Sequence, residues 1–168
     1  MISEQSRTFT SPNIKNIRPD YHVEGSVHGL NLVVPEDARA VIKTWDERED
    51  TTKFAESGVD DQLVIHVPFT QNVRLRSILL KLGEFMFNFV TLALRYIALG
   101  RGDSEPRQLR IYANHVHIVD FAEAEDIAPQ FDISLLEGQS GVTEYPLRAA
   151  VFANIHSLSL HFVSYVLR

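Results

Sequence analysis

The sequence predicts an all-β protein of the sandwich or jelly-roll class. Several short apolar segments alternate in polarity along the chain, and Gly, Pro, Asp and Asn residues separate them. Alternation with a period of two buries one face of each strand, and evenly spaced short strands are typical of sandwiches. A length of 168 residues with 45% hydrophobic residues suits a single domain with one core.

The candidate strands can be placed in chain order from this alternation. They are 28–34, 38–45, 62–69, 73–82, 107–115, 130–136, 142–148 and 156–167. The last segment alternates strictly, so Leu158, Leu160 and Phe162 are expected on one face. Pro68 predicts an edge or the end of its strand, because proline cannot donate to a ladder.

Two segments lie outside the strand pattern. Residues 1–27 are polar and show little periodicity, so we expect a flexible N-terminal segment before a domain at 28–168. Residues 46–61 are acidic and rich in turn formers, with a short extended piece expected around Lys53 and Phe54.

One stretch, 84–100, is apolar on every side. Its aromatic and leucine residues recur at helical spacing, which predicts an apolar helix over about 84–98. Glu84 and Arg95 interrupt it, whereas a membrane-spanning helix needs about 20 apolar residues, so we expect no membrane span. Three interpretations remain: a segment absent from the working protein, a helix that packs on the domain or a partner, and a contact with a membrane surface.

The composition argues against several functional classes. A net charge of −6 disfavours nucleic acid as a partner. The absence of cysteine excludes a disulfide scaffold, a thiol nucleophile and a thiolate zinc site, and it fits the cytosol or nucleus. The first residues lack the apolar core of a secretion signal. No nucleophile elbow, phosphate-binding loop or dinucleotide fingerprint occurs, so we predict no catalytic residues and no cofactor.

Metal ligands are not arranged in a convincing pattern. His115 and His117 would share one face of a strand, but a third ligand, such as Asp120 or His66, is not supplied by the sequence. Acidic residues without the spacing of a calcium loop are Asp60, Asp61, Glu123, Glu125 and Asp126. We therefore expect histidines in solvent, acids in solvated turns, and no metal site.

Trp45 and a group of cations complete the candidate surface residues. Trp45 lies beside the acidic segment, where it is either an anchor for a partner or, as is commoner in sandwiches, a core residue. Arg74, Arg76 and Lys81 are interpreted as outward positions on a strand.

Long motifs of the chain resemble the PITH domain. They include "TWDEREDTTKFAESGVDDQLVIHVPF", "VRLRSILLKLG", "RQLRIYANH", "VDFAEAED", "FDISLLEG" and "VTEYPLRAAVFANIHSLSLHF". The resemblance covers about 28–83 and 101–162, and stand-alone PITH-domain proteins are the nearer likeness. It implies a galactose-binding-domain-like jelly roll that binds the 26S proteasome without catalysis of its own, in cytoplasm and nucleus. The alternative is a jelly roll that binds a small ligand or carbohydrate.

The chain departs from that family in two places. Residues 84–100 are inserted after Gly83, and the last strand of the family is missing after about 162. Our hypothesis is that both departures are retained introns. Gly83, Glu84 and Phe85 can be encoded with GTGAGT, a typical splice donor, and Val163 and Ser164 can be encoded in the same way.

Overall fold

The molecule is built from two β-sheets. The structure, a computed structural model, describes residues 26–44, 46–50, 52–60, 62–82, 91–93, 98–99, 106–136 and 141–163. Its elements are β1 (His28–Leu30), α1 (Asp37–Ala40), β2 (Gln62–Val73), β3 (Ser77–Leu82), β4 (Thr91–Ala93), β5 (Ala98–Leu99), β6 (Gln108–Ala113), α2 (Phe121–Asp126), β7 (Phe131–Ser134), β8 (Gly141–Pro146) and β9 (Ile155–Val163). A five-stranded sheet has the order β1-β2-β9-β6-β7, and in a four-stranded sheet β3 pairs with β4, β5 and β8.

Alternate residues of strands from both sheets share one core. Its members include Leu63, Ile65 and Val67 of β2, Ile78, Leu80 and Leu82 of β3, and Leu158, Leu160 and Phe162 of β9. The inward residues of β2 lie directly opposite those of β9, as in the pair Ile65 and Leu160, and such cross-strand pairs stabilise a sheet. The predicted all-β sandwich is confirmed, as is the inward face of the last strand. The jelly-roll topology stays a prediction.

The outer face of the five-stranded sheet is covered as well. Tyr112 of β6 packs with Val119 and Ala124 in a second buried cluster. The Tyr112 hydroxyl donates to the backbone oxygen of Ala124 at 3.0 Å, which satisfies a polar group that burial would otherwise penalise. Because this cover exists, strand β9 is buried along both faces.

Helix α2 was missed by the sequence analysis. It is short, and its start depends on Asp120, whose side chain accepts a hydrogen bond from the backbone N–H of Glu123 at 2.8 Å. An acceptor followed three positions later by a glutamate is the pattern of a capping box. The residues "DFAE", 120–123, show this pattern and could have predicted the start of α2.

The strand predicted over 38–45 is wrong. The segment begins instead in helix α1. Ala38 of α1 and Val41, which follows the helix directly, are both fully buried. Their separation of three residues is the spacing of one helical face.

Pro68 does not end its strand, since β2 continues to Val73. The edge that Pro68 also predicted is present in the described residues, because Pro68 lies opposite Ser157 of β9 while β1 pairs only with residues 64–66 of β2.

The helix predicted over about 84–98 is also wrong where the structure describes this stretch. Thr91–Ala93 and Ala98–Leu99 are strands, the first antiparallel and the second parallel to β3. A segment that is apolar all round does not distinguish a helix from a buried strand, and a strand edge offers unpaired backbone groups to any neighbouring chain. The other residues of 84–100 lie outside the described residues.

Some sequence predictions fall outside the described part of the chain. They concern residues 1–25, Trp45 and Asp61. Within the described part, α1 has four residues and α2 has six, and no helix there is long and apolar enough to cross a membrane.

Candidate functional site

The acidic segment 46–60 is anchored to the body of the protein. The amine of Lys43, which is 2% exposed, donates to the backbone oxygen of Asp50, and burial lowers the pKa of Lys43. Further along, Lys81 Nζ lies 2.8 Å from Glu49 Oε2, and Ala55 is fully buried in the common core. The segment is therefore a fixed loop rather than a solvated tail.

Asn31 joins the end of this segment to β1. Its backbone adopts the left-handed conformation, with φ 59°, which asparagine tolerates better than most residues. Its Nδ2 donates to Asp60 Oδ1 and to the backbone oxygen of Gln62, each at 2.6 Å. Its Oδ1 accepts from the backbone N–H of Val59 at 3.0 Å. One side chain thus holds Val59, Asp60 and the first residue of β2, Gln62.

These anchored loops hold aliphatic side chains out in solvent. Val59 is 94% exposed, Val33 is 50% exposed and Val34 is 43% exposed. A backbone hydrogen bond of 2.9 Å from Val33 N–H to the oxygen of Glu56 ties the two loops together. We call the exposed residues of 46–60, with Val33 and Val34, the acidic loop surface. Binding residues concentrate on loops that a rigid scaffold positions, so this surface is the candidate functional site.

Replacing Asn31 with alanine is expected to destabilise the domain by about 2 kcal/mol, because the backbone groups of Val59 and Gln62 lose a partner, the second of them partly buried, and a left-handed residue gains strain. Asn31→Gly separates the two effects, since glycine relieves the backbone strain without restoring the hydrogen bonds. Urea unfolding of both variants measures the effect of the lost hydrogen bonds and the effect of the backbone strain. An Asn31→Ala variant with wild-type stability would contradict this role.

The outer face of the five-stranded sheet carries a row of polar residues. His28 lies opposite His66, His66 opposite Ser159, and Ser159 opposite Tyr112. The rings of His28 and His66 are 5.2 Å apart. This row belongs to strands that are far apart in the chain, so the sequence alone did not bring its members together.

Ser159 and His66 form a serine–histidine pair inside this row. Ser159 Oγ lies 2.9 Å from His66 Nδ1, and it also accepts from the backbone N–H of Val119 at 3.1 Å. A hydroxyl has one proton and two lone pairs, so Ser159 Oγ can take part in both hydrogen bonds. A nucleophilic serine must reach a substrate. Ser159 is fully buried, and its oxygen already accepts a hydrogen bond from Val119. The pair therefore fixes the covering loop to the sheet.

His161 of β9 is a second buried histidine on this face. Its Nε2 lies 3.1 Å from Gln62 Oε1 and its ring is edge-on to Phe121 at 5.5 Å. Its Nδ1 is buried without a hydrogen-bond partner. Burial, with a smaller effect of Arg110, lowers the pKa of His161 to about 4, and burial likewise lowers the pKa of His66 to about 4.

The residues considered for metal binding do not converge. His115 and His117 follow β6 in a loop rather than sharing a strand face. Within the described ranges, no group of three or more His, Asp or Glu side chains could hold a metal ion. Glu123, Glu125 and Asp126 are exposed on and around α2.

Known proteins are similar to this chain over most of its length. Residues 23–166 match the profile of the PITH domain. The PITH domain-containing protein 1 of Homo sapiens is 33% identical over 123 residues, which is 73% of this chain and 49% of that protein. A PITH domain-containing protein of Drosophila melanogaster is 28% identical over 140 residues, covering 83% of this chain and 57% of that protein. The chain spans about half the length of these curated relatives.

Proposed function

The chain belongs to the PITH domain family, and from this premise we propose that it is a non-enzymatic protein-interaction module associated with the proteasome. The family resemblance supports the choice of partner. It also supports a place of action in the cytoplasm and nucleus.

One observation carries the interaction role. Val59 is 94% exposed on a loop whose backbone Asn31 holds in place. An aliphatic side chain fixed in water contributes nothing to the core, yet it is already ordered for binding, so a partner would lose little conformational freedom on contact. The exposed carboxylate of Asp60 follows it in the same loop and would favour a partner with complementary positive charge.

Affinity capture with the full chain as bait tests the proposed function. Proteasome subunits should be enriched over a bait of unrelated sequence, and a glycan array probed with the same protein should remain blank. Specific glycan binding without proteasome enrichment would instead support the small-ligand jelly roll.

Substituting Val59 with lysine should weaken capture of proteasome subunits about tenfold, because the change removes an apolar contact and adds a positive charge to the acidic loop surface. Val116→Lys is the matched control, since Val116 is 80% exposed on a different loop. Quantitative mass spectrometry of the captured subunits compares the two variants. Equal losses from both would contradict a specific role for the acidic loop surface.

We also propose that residues 84–100 are absent from the working protein, as the intron hypothesis requires. Without them, Gly83 and residues 101–107 still connect β3 to β6. These eight residues reach up to roughly 26 Å when extended, whereas stacked sheets lie about 10 Å apart. Sequencing of cDNA across this region tests the proposal, and transcripts that all retain the segment would overturn it.

A further inference from the structure

Two connections of the sandwich meet at one corner of the molecule. The chain between β2 and β3 lies against the chain between β8 and β9. The backbone N–H of Leu147 donates to the oxygen of Arg76 at 2.8 Å, and the N–H of Leu75 donates to the oxygen of Phe152 at 2.9 Å. Leu75, Leu147 and Phe152 are buried in the common core, so both connections are held firmly.

Three arginines are exposed at this corner. The sequence predicted Arg74 and Arg76 on a strand, which is wrong. Both lie in the first connection, between β2 and β3. Arg148 lies in the second connection, with its guanidinium 5.5 Å from the centre of the Phe131 ring. In the described part of the chain, none of these arginines forms an ion pair with a carboxylate. We call the three arginines, with Val151, the basic corner.

The basic corner contrasts with the rest of the protein. The chain has a net charge of −6, so three neighbouring cations that form no ion pair with the described carboxylates are not explained by composition. Val151, next to the buried Phe152, is 43% exposed and adds an apolar contact beside the guanidinium groups. The stacking of Arg148 on Phe131 leaves the edge of its guanidinium group, which carries the N–H donors, available to a ligand.

We propose that the basic corner binds an acidic, partly apolar segment of a partner protein. Arginine presents parallel N–H donors that match a carboxylate, and the side chain of Val151 would contact an aliphatic residue of the same segment. A long polyanion such as nucleic acid fits less well, because the acidic surface elsewhere on the protein would repel its extended backbone.

This interface is separate from the acidic loop surface and has the opposite charge. It goes beyond the proposed function, because binding at the basic corner requires no proteasome. The basic corner would let the module contact a second partner, or a second segment of one partner, of acidic chemistry.

The test uses the full chain and a short fluorescent peptide that alternates glutamate and leucine. Fluorescence anisotropy should show saturable binding that weakens as salt is added, since the contacts are exposed charges. The double variant R74A/R76A should weaken binding at least about tenfold. Arg148→Lys keeps the charge but loses the planar fork, so its effect should be smaller.

The controls separate binding from folding. Arg39→Ala changes an arginine of α1, away from the basic corner, and should leave peptide affinity unchanged. Thermal unfolding of R74A/R76A should match wild type, because neither side chain is part of the core. Absence of peptide binding, or binding that survives R74A/R76A, would overturn the proposal. Tighter, arginine-dependent binding of single-stranded DNA would overturn the carboxylate assignment in favour of phosphate.

Discussion

Acidification from pH 7 to pH 4 is expected to destabilise the fold by about 3 kcal/mol for each of His66 and His161. Both side chains are 3% exposed, and burial lowers each pKa to about 4. In the unfolded chain a histidine has its ordinary pKa of about 6.5. The unfolded state therefore binds more protons between these two values.

The direction of the effect follows from that difference. As the pH falls through about 6.5, protonation of the histidines stabilises the unfolded state. The loss ends near pH 4, where the native histidines also take up protons. The charged groups around His161 are Arg110, which opposes its protonation, and Asp60, which favours it. The charged groups that affect the pKa of His66 are other histidines. All of them lower it, and His28 has the largest effect.

Substitution of His161 with leucine isolates one half of the effect. The variant removes a buried nitrogen that has no partner and loses one hydrogen bond to Gln62, so its stability at pH 7 should stay within about 1 kcal/mol of wild type. Between pH 6.5 and pH 4 the free energy of unfolding of the variant should fall by about 3 kcal/mol less than that of wild type. Urea unfolding across this range measures the difference.

His156→Gln is the control for this experiment, because His156 lies on the same strand but is exposed. Its stability should follow wild type closely throughout the pH range, because His156 has the smallest effect among the histidines that lower the pKa of His66. Parallel pH profiles for wild type and His161→Leu would show that His161 does not carry the acid sensitivity.

Replacing Phe152 with alanine is expected to cost about 3–5 kcal/mol of unfolding free energy. Phe152 is fully buried in the common core, and its ring stands edge-on to Phe131 with centroids 6.2 Å apart. Removal of the ring leaves a cavity between packed side chains. It also loosens the connection whose backbone oxygen accepts from Leu75.

The neighbouring valine provides a matched comparison for this change. Val151 is 43% exposed, so Val151→Ala should change stability by no more than about 0.5 kcal/mol. Urea unfolding midpoints of the two variants give the contrast. If Phe152→Ala costs no more than Val151→Ala, the core does not extend to this connection.

The strands could be predicted because alternation is written in neighbouring residues. Leu158, Leu160 and Phe162 show it most clearly, and all three are buried in the core. Pro68 predicted either an edge or a strand end, and only the pairing of the strands shows that it marks an edge. The apolar segment 84–100 misled the prediction, because periodicity fails when every face is apolar.

The candidate sites could be predicted only in part, because they depend on contacts between distant segments. The acidic segment was visible in the sequence, but its attachment through Asn31 was not. Arg148 joins Arg74 and Arg76 only after two connections meet, and the partners Ser159 and His66 are 93 positions apart. A short motif carries no information about such distances.

Equilibrium binding of the purified 26S proteasome to the immobilised full chain tests the central claim most directly. Circular dichroism of the same preparation establishes that the chain is folded. The account predicts saturable binding that an excess of the free chain displaces. If neither the folded full chain nor a folded chain without residues 84–100 shows saturable binding, the assignment as a proteasome-associated interaction module is contradicted.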